Sequence, residues 1–422
     1  MQTKTLSARS IVVLTMFAIA LATLMPALAS AQTETVIHAF QSADKYDGFN
    51  PNASLIADAN GALYGTTTTG GKHGWGTVFK LVPPAAPGGA WTQDVLYSFT
   101  GGADGSEPSP GSLLLKGNSL YGTTSQGGSN GVGVAYELTP GKPWQETVLY
   151  TFVNNSTGFD PSSGLTLGSN GTFYGTTLKG GAHKVGAVYR LSPPSERSSE
   201  WTEAPIYSFN SAIGDGIEPA YSLIFDSTGA LYGVTVADGG TIFKLTPSSS
   251  GFWTETILYS FNGGTDGGGP YSGVVFDSSG ALYGATFSSG SSAGNVYKLT
   301  PPSGGTSPWT ETILWAFQGT PGNDGADPTG VVFDSTGTIY GSTQYGGTND
   351  GCGVLGCGTV FSLAPPASPG GAWTEQVLYS FQASSDGTYP DTQLLLSGGV
   401  YYGTTAAGGG KANAGTVFSF VP

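Results

Sequence analysis

The sequence predicts an all-β fold: a seven-bladed β-propeller of four-stranded antiparallel blades, its ring closed by the N-terminal strand. Three observations lead there. A Tyr-Gly core within LYGTT or a close variant recurs seven times, at Tyr64, Tyr121, Tyr174, Tyr232, Tyr283, Tyr340 and Tyr402, with spacings of 51 to 62 residues. A period of that length marks units that stack on their neighbours. No helix-like pattern separates the strand-like runs, which removes the parallel βαβ architectures. The two ends are also complementary in content. A β-solenoid is the alternative, but its coils are usually shorter.

Each unit contains four strand-like runs bounded by turn residues. The first is almost continuously apolar, as in SLIAD (54–58), SLIFD (222–226), GVVFD (273–277) and GVVFD (330–334), which suits a strand buried on both faces. The second is LYGTT, whose glycine implies a close backbone approach. The third is GTVFKL (76–81), with GTIFKL, GNVYKL and GTVFSL in later units. The fourth is WTETILYSF (253–261), where Ile257, Tyr259 and Phe261 alternate with Thr256, Leu258 and Ser260. That alternation predicts a strand with one buried face. A lone fourth-strand copy, TETVIHAF (33–40), opens the repeat region, and a third-strand copy, GTVFSF (415–420), ends it. The N-terminal copy therefore completes the last blade as its outer edge, covering an otherwise open strand.

Residues 1–31 lie outside the repeats. Lys4 and Arg9 precede an apolar run from Ile11 to Leu24, and small-x-small sites end at Ala29 and Ala31. This predicts a secretory signal peptide cleaved near Ala29 or Ala31, leaving 32–422 as a single propeller domain. The apolar run is short for a membrane span. The expected product is a secreted or periplasmic, monomeric protein with no membrane span.

The formal charge is −14, and −16 without Lys4 and Arg9. Nucleic acid and anionic lipid need a basic footprint, so neither is an expected partner. Glycans, proteins and cations remain. Gly (69) and Pro (26) together approach the level of disordered chains, but they occupy fixed offsets within each unit, so disorder is the weaker reading. Cys352 and Cys357 stand in one loop and read as a local disulfide, since two thiolates alone make a poor metal site.

The combination of DGxxP, LYGTT, GG and GTVFKL, recurring in order over residues 33–421, resembles the GloVer (Gloeo/Verruco) tandem-repeat family of exported bacterial proteins. That resemblance implies a propeller-like array without an established activity. The strand layout is also similar to NHL-type propellers, which are mainly binding platforms, an analogy of fold alone.

Strand order puts the DGxxP loops and the Gly-rich stretches after LYGTT on one rim, the one that varies more between units. Variable loops on a rigid scaffold commonly carry recognition. DGxxP starts at Asp47, Asp104, Asp215, Asp266, Asp324 and Asp386; the third unit has Thr157 instead. A ring of carboxylates could hold Ca²⁺ or sugar hydroxyls. Repetition in nearly every unit favours Asp-Gly turns that cap backbone groups, and no copy has a calcium-loop spacing. No cofactor is expected. Six tryptophans (Trp91, Trp144, Trp201, Trp253, Trp309, Trp373) lead the fourth strand and read as packing, as does Trp315. Trp75 stands apart, in a rim loop beside His73, while Phe49, Phe159, Tyr345 and Tyr389 fall in loops of the same rim. Exposed aromatics among Asp, Asn and Thr suit stacking on sugar rings.

The leading expectation is a non-enzymatic binder of glycan or extracellular protein on this rim, with those six residues as ligand contacts. The alternatives are a carbohydrate-active hydrolase or lyase, or a calcium-dependent lactonase, with acidic residues at the channel mouth, and a structural envelope component. No catalytic residue is singled out. An unrepeated, buried carboxylate pair near the channel would favour an enzyme; repeat-equivalent, solvated aspartates would favour a binder.

Overall fold

Runs of β-branched and aromatic residues bounded by glycine and proline build seven antiparallel sheets, ordered from inner to outer strand in a propeller ring. The computed structural model describes residues 33–41, 46–86, 88–196, 198–287, 293–304, 308–319, 324–348, 351–368, 370–383 and 385–422. The leader expected over 1–31 lies outside them. Glu34–Val421 form one compact unit. In the fourth blade the strands are Ile217–Phe225, Leu231–Ala237, Thr241–Pro247 and Trp253–Ser260. In the seventh, Thr33–Ala39 pairs with Thr416–Val421 as the outer strand, so the N-terminal segment closes the ring.

Two strand expectations need correction. The first strand is not a continuous segment buried on both faces. It shrinks to Ile56–Ala57 or Val275–Phe276, half-buried, or splits into two pieces such as Ser106–Pro108 and Leu114–Lys116; the fourth blade keeps it in one piece, with a register shift between Ala220 and Ile224. The residues after the proline leave the ladder before pairing resumes, as between Pro108 and Leu114. The outer strand does not alternate strictly either. Its register shifts opposite Ile242 and Phe243, which pair with Tyr259 and Ile257. Leu258 is the extra residue of this bulge, and it turns inward to become buried.

The LYGTT glycine has a packing cause. Gly233 pairs with Phe243 on the third strand, and a Cβ there would lie 2.5 Å from the phenyl ring. The bare backbone lets the ring lie across the sheet. The phenylalanine ending each outer strand then meets the third-strand ring of the next blade edge-on. The pairs are Phe99–Tyr136, Phe152–Tyr189, Phe209–Phe243, Phe261–Tyr297, Phe317–Phe361 and Phe381–Phe418, with Phe40–Phe79 as the seventh. Centroids lie 5.0 to 5.3 Å apart, the favourable edge-to-face range. Phe40 comes from the N-terminal strand, so closure supplies the last contact of the cycle.

A polar layer accompanies this apolar one. Each DGxxP aspartate accepts from the backbone N–H just after that phenylalanine: Gln41, Thr100, Asn210, Asn262, Gln318 or Gln382, at 2.7 to 2.9 Å. The same carboxylate takes a donor from the preceding outer strand, such as Tyr97 at 2.9 Å, Tyr379 at 2.6 Å or the Trp315 indole at 3.3 Å. His38 holds the equivalent place at 3.6 Å from Asp47. Five of these aspartates are buried, and Asp104 is half-buried. On the next outer strand stands a glutamate (Glu34, Glu146, Glu203, Glu255, Glu311 or Glu375), with Gln93 in the first blade. Burial pushes each glutamate up to about 7, and for all but Glu203 the nearby aspartate adds to the rise.

The sign of the resulting pH dependence follows. A folded pKa raised above its unfolded value means that stability from these groups is complete below pH ~4.5 and is lost as pH rises through about 7. Asp226 acts oppositely: burial pushes it up, but hydrogen bonds from Thr228, Ala230 and Tyr232 outweigh that and hold it at about 2. Its contribution is present above the ordinary carboxylate range and fades as pH falls through about 2. Thermal melts should therefore give a higher Tm at pH 5 than at pH 8, and changing Glu146, Glu255, Glu311 and Glu375 to Gln should shrink the difference. A Tm that climbs between those values would overturn this account. Phe40→Ala should cost about 3–5 kcal/mol, and deleting residues 33–40 should destabilise the whole ring. Unchanged melting of the deletion would show that the strand is not a closing element.

Candidate functional site

Because so much of each blade repeats, the informative residues are those that break the repeat where the blades converge. The residue after the DGxxP proline begins the channel wall. It is Asn52, Ser109, Ser162, Ala220, Tyr271, Thr329 and Asp391 in successive blades. Three of the seven tie one blade to the next. Ser109 Oγ donates to the Pro161 carbonyl at 2.6 Å, Ser162 Oγ to that of Pro219 at 2.9 Å, and Thr329 Oγ1 to that of Thr392 at 3.1 Å. Asn52, Tyr271 and Asp391 line a cavity there, with Thr329 also in its wall.

Tyr221 joins them from the position after Ala220. The inner strand of the fourth blade shifts register between Ala220 and Ile224, and Tyr221 sits in that irregularity with φ 60°. A tyrosine in the left-handed region is strained, and such irregularities commonly re-aim a side chain. Two cavities, of 150 and 240 Å³, share Asn52, Pro110, Tyr221, Tyr271 and Asp391 in their walls. The larger also touches Ser162 and Leu178, on the DGxxP side. Both are smaller than the ~300–1,000 Å³ of drug-sized sites, which limits the occupant to one ring or a chain end.

Within this site Asp391 is the one carboxylate. Its Oδ1 is cut off from solvent and, among the described residues, accepts no hydrogen bond; Asn52 Oδ1 is in the same condition. Burial pushes the Asp391 carboxyl up to about 8, so at neutral pH it carries a proton it can donate. Burial raises both Tyr221 and Tyr271, with Asp391 close enough to add to each. Tyr271 also lies against Phe287, ring centroids 3.9 Å apart. The ensemble offers a carboxyl, an amide and aromatic faces to a polar ligand with a flat or apolar side.

The rim residues expected from the sequence are dispersed. Tyr345 and Tyr389 come together across the sixth and seventh blades, centroids 5.5 Å apart. Trp75 is 44% exposed, and its indole covers Gly101 of the neighbouring loop. Its position is not unique, contrary to the sequence reading. The Trp75 carbonyl accepts from Glu107 N, as Val132 does from Asp160 and Val185 from Glu218, so only the side chain is exceptional. Phe49 is 36% exposed and bridges Thr69 in the first blade, His73 is exposed nearby, and Phe159 borders a separate groove in the third blade. The aspartates Asp47, Asp215, Asp266, Asp324 and Asp386 are buried rather than solvated and Asp104 is half-buried, their carboxylates holding the backbone N–H groups described above. Among the described residues no group of three or more His, Cys, Asp or Glu side chains is arranged to hold a metal ion. Cys352 and Cys357 are joined by a disulfide, Cα atoms 5.2 Å apart. Asp391, Asn52, Tyr221 and Tyr271 were missed by sequence reasoning. The signal for Asn52, Tyr271 and Asp391 was variation at one repeat offset, the residue following the proline, with Tyr221 one position further on.

No curated protein matches the chain in sequence. Among solved structures, a putative 6-phosphogluconolactonase from Bacteroides uniformis ATCC 8492 is similar at 12% identity and TM-score 0.48, over 77% of this chain and 85% of that one. A second, from Bacteroides fragilis NCTC 9343, is similar at 13% identity and TM-score 0.49, over 83% and 95%. The Gloeobacter/Verrucomicrobia repeat matches residues 23–239, 143–322 and 236–422. With that match running through all seven blades, the chain belongs to the Gloeobacter/Verrucomicrobia repeat family.

Proposed function

We propose that this propeller is a non-enzymatic binding module that takes a saccharide end at the DGxxP mouth of its channel. The observation that carries the reading is Asp391, an unrepeated carboxyl with an unpartnered oxygen, set among Asn52, Tyr221 and Tyr271 where other blades place hydroxyls that bond to the ring itself. A buried acceptor without a partner costs about 1–3 kcal/mol, which a ligand hydroxyl would recover. The tyrosine rings would cover the apolar face of a sugar. The leader expected over residues 1–31 suits export, so soluble glycans outside the cytoplasm are the ligand pool we infer, with the protein acting as a monomer.

An enzymatic reading has one point in its favour: burial pushes the Asp391 carboxyl up to about 8, the direction a general acid needs. Glycoside hydrolysis usually employs a pair of carboxylates, and among the described residues no second carboxylate lines the two cavities.

The test is a thermal-shift and calorimetric screen of the purified chain against soluble glycans, with calcium and EDTA as separate arms. A ligand bound only by the folded state raises Tm by mass action. Asp391→Asn and Tyr271→Ala should each weaken glycan binding about tenfold, the loss of roughly one good hydrogen bond or ring contact, while Trp75→Ala leaves it unchanged. Loss with Trp75→Ala alone would move the site to the outer loops. Product released from a bound glycan, and abolished in Asp391→Asn, would establish the enzymatic reading instead.

Asp391→Asn also has a stability signature. Its folded pKa is raised, so the stability it contributes is lost as pH rises through about 8. The wild-type Tm should fall between pH 7 and pH 9 by a few degrees more than that of the asparagine variant. Parallel curves would show that Asp391 is solvated after all.

A further inference from the structure

The third blade departs from the repeat on this rim, and its departures gather around one groove. Where six units carry Asp-Gly, it carries Thr157-Gly158, so the loop's buried carboxylate is missing. The loop turns instead on Asn155, whose Oδ1 accepts from Thr157 N at 2.8 Å and from Thr157 Oγ1 at 2.9 Å. Beside it lies a groove of 450 Å³ bordered by Asn154, Asn155, Phe159, Lys179 and Lys184, with Gly180 and Gly181 as its floor.

Two lysines on one groove are unusual in a chain with 28 acidic and 14 basic residues. Lys179 Nζ lies 2.8 Å from Asp160. The Lys184 ammonium makes no ion pair among the described residues. The corresponding loop of the first blade carries Lys72 and His73 but keeps Asp47. Only in the third blade do cations coincide with a missing DGxxP carboxylate. A net negative surface repels anions, so a site for one needs local cations and the removal of nearby carboxylates. The first condition is met by Lys184, and the second at the DGxxP position, where Thr157 replaces the aspartate, while Asp160 stays paired with Lys179.

We propose that this groove is a second binding site, specific for an anionic saccharide, a sugar ring carrying carboxylate or sulfate. The anionic group takes charge-assisted hydrogen bonds from Lys184 and Lys179, the ring's apolar face lies on Phe159, and the Asn154 and Asn155 amides meet its hydroxyls. The site is separate from the channel and does not depend on the channel reading.

The experiment is calorimetric titration of the full chain with an oligogalacturonate and with the neutral oligogalactan of equal length, repeated with dextran sulfate and dextran. Binding of at least one anionic probe, with no heat from its neutral counterpart, is expected. Lys179→Gln/Lys184→Asn should weaken binding at least about tenfold; asparagine keeps the left-handed backbone at 184, where φ is 68°. Phe159→Ala should also weaken it, and Asp391→Asn should leave it unchanged. Raising salt from about 0.05 M to about 0.5 M should weaken it severalfold. Equal affinity for charged and neutral oligomers, no binding of either anionic probe, unchanged affinity in the lysine variant, or loss in Asp391→Asn would overturn the proposal.

Discussion

Every blade depends on one apolar contact: the phenylalanine that ends an outer strand, set edge-on against a ring of the following blade. That second ring can lie where it does only because the residue opposite it is the glycine of LYGTT. A side chain at Gly233 would meet the Phe243 ring at 2.5 Å, and the ring would have to leave the position at which Phe209 reaches it. Glycine, third-strand aromatic and outer-strand phenylalanine are thus one device, used seven times. Since a repeat buries its apolar face only against neighbours, the cycle has to be complete, and Phe40 on Phe79 completes it.

The polar layer follows from the same geometry. Ending the outer strand at the phenylalanine leaves the next backbone N–H without a sheet partner, and the DGxxP aspartate supplies one. The Tyr or Trp that donates to that aspartate, or the His38 that stands 3.6 Å from Asp47, belongs to the preceding outer strand, while the glutamate near it belongs to the following one. The blade boundary is therefore stitched by protonatable groups away from bulk water. The exceptions are internally consistent. Where Thr157 replaces the aspartate, Tyr150 donates to Glu203 instead, at 3.4 Å. Where Gln93 replaces the glutamate, its amide donates to the Asp47 carbonyl at 2.9 Å. The acidic composition is in this sense partly internal, with carboxyls spent on holding blades together rather than on display.

Against so regular a frame, asymmetry carries the functional content. The scaffold needs a small hydroxyl after the proline only where it bonds to the adjacent blade. Asn52, Tyr271 and Asp391 are released from that duty, and Tyr221 reaches the channel through an irregular inner strand. The third-blade groove arises likewise, from a lost aspartate and two lysines. Both candidate sites sit on the rim with the more variable loops, over a core that is nearly invariant from blade to blade.

The sequence by itself determined the blade count, the strand order within a blade and the closing role of the N-terminal strand. Each of these is a matter of periodicity and of which strand copy is missing at which end. It also marked the LYGTT glycine as a place of close approach. Tertiary structure decided what periodicity cannot express. The inner strand leaves the ladder after the proline before pairing resumes, and Leu258 turns inward because a bulge shifts the register behind it. Trp75 stood out in the sequence for its residue type, although its backbone position recurs. Asp391, Asn52, Tyr221 and Tyr271 are 50 to 339 residues apart in the chain and become neighbours only by ring closure, so variation beside the repeated proline could mark them but not show that they meet.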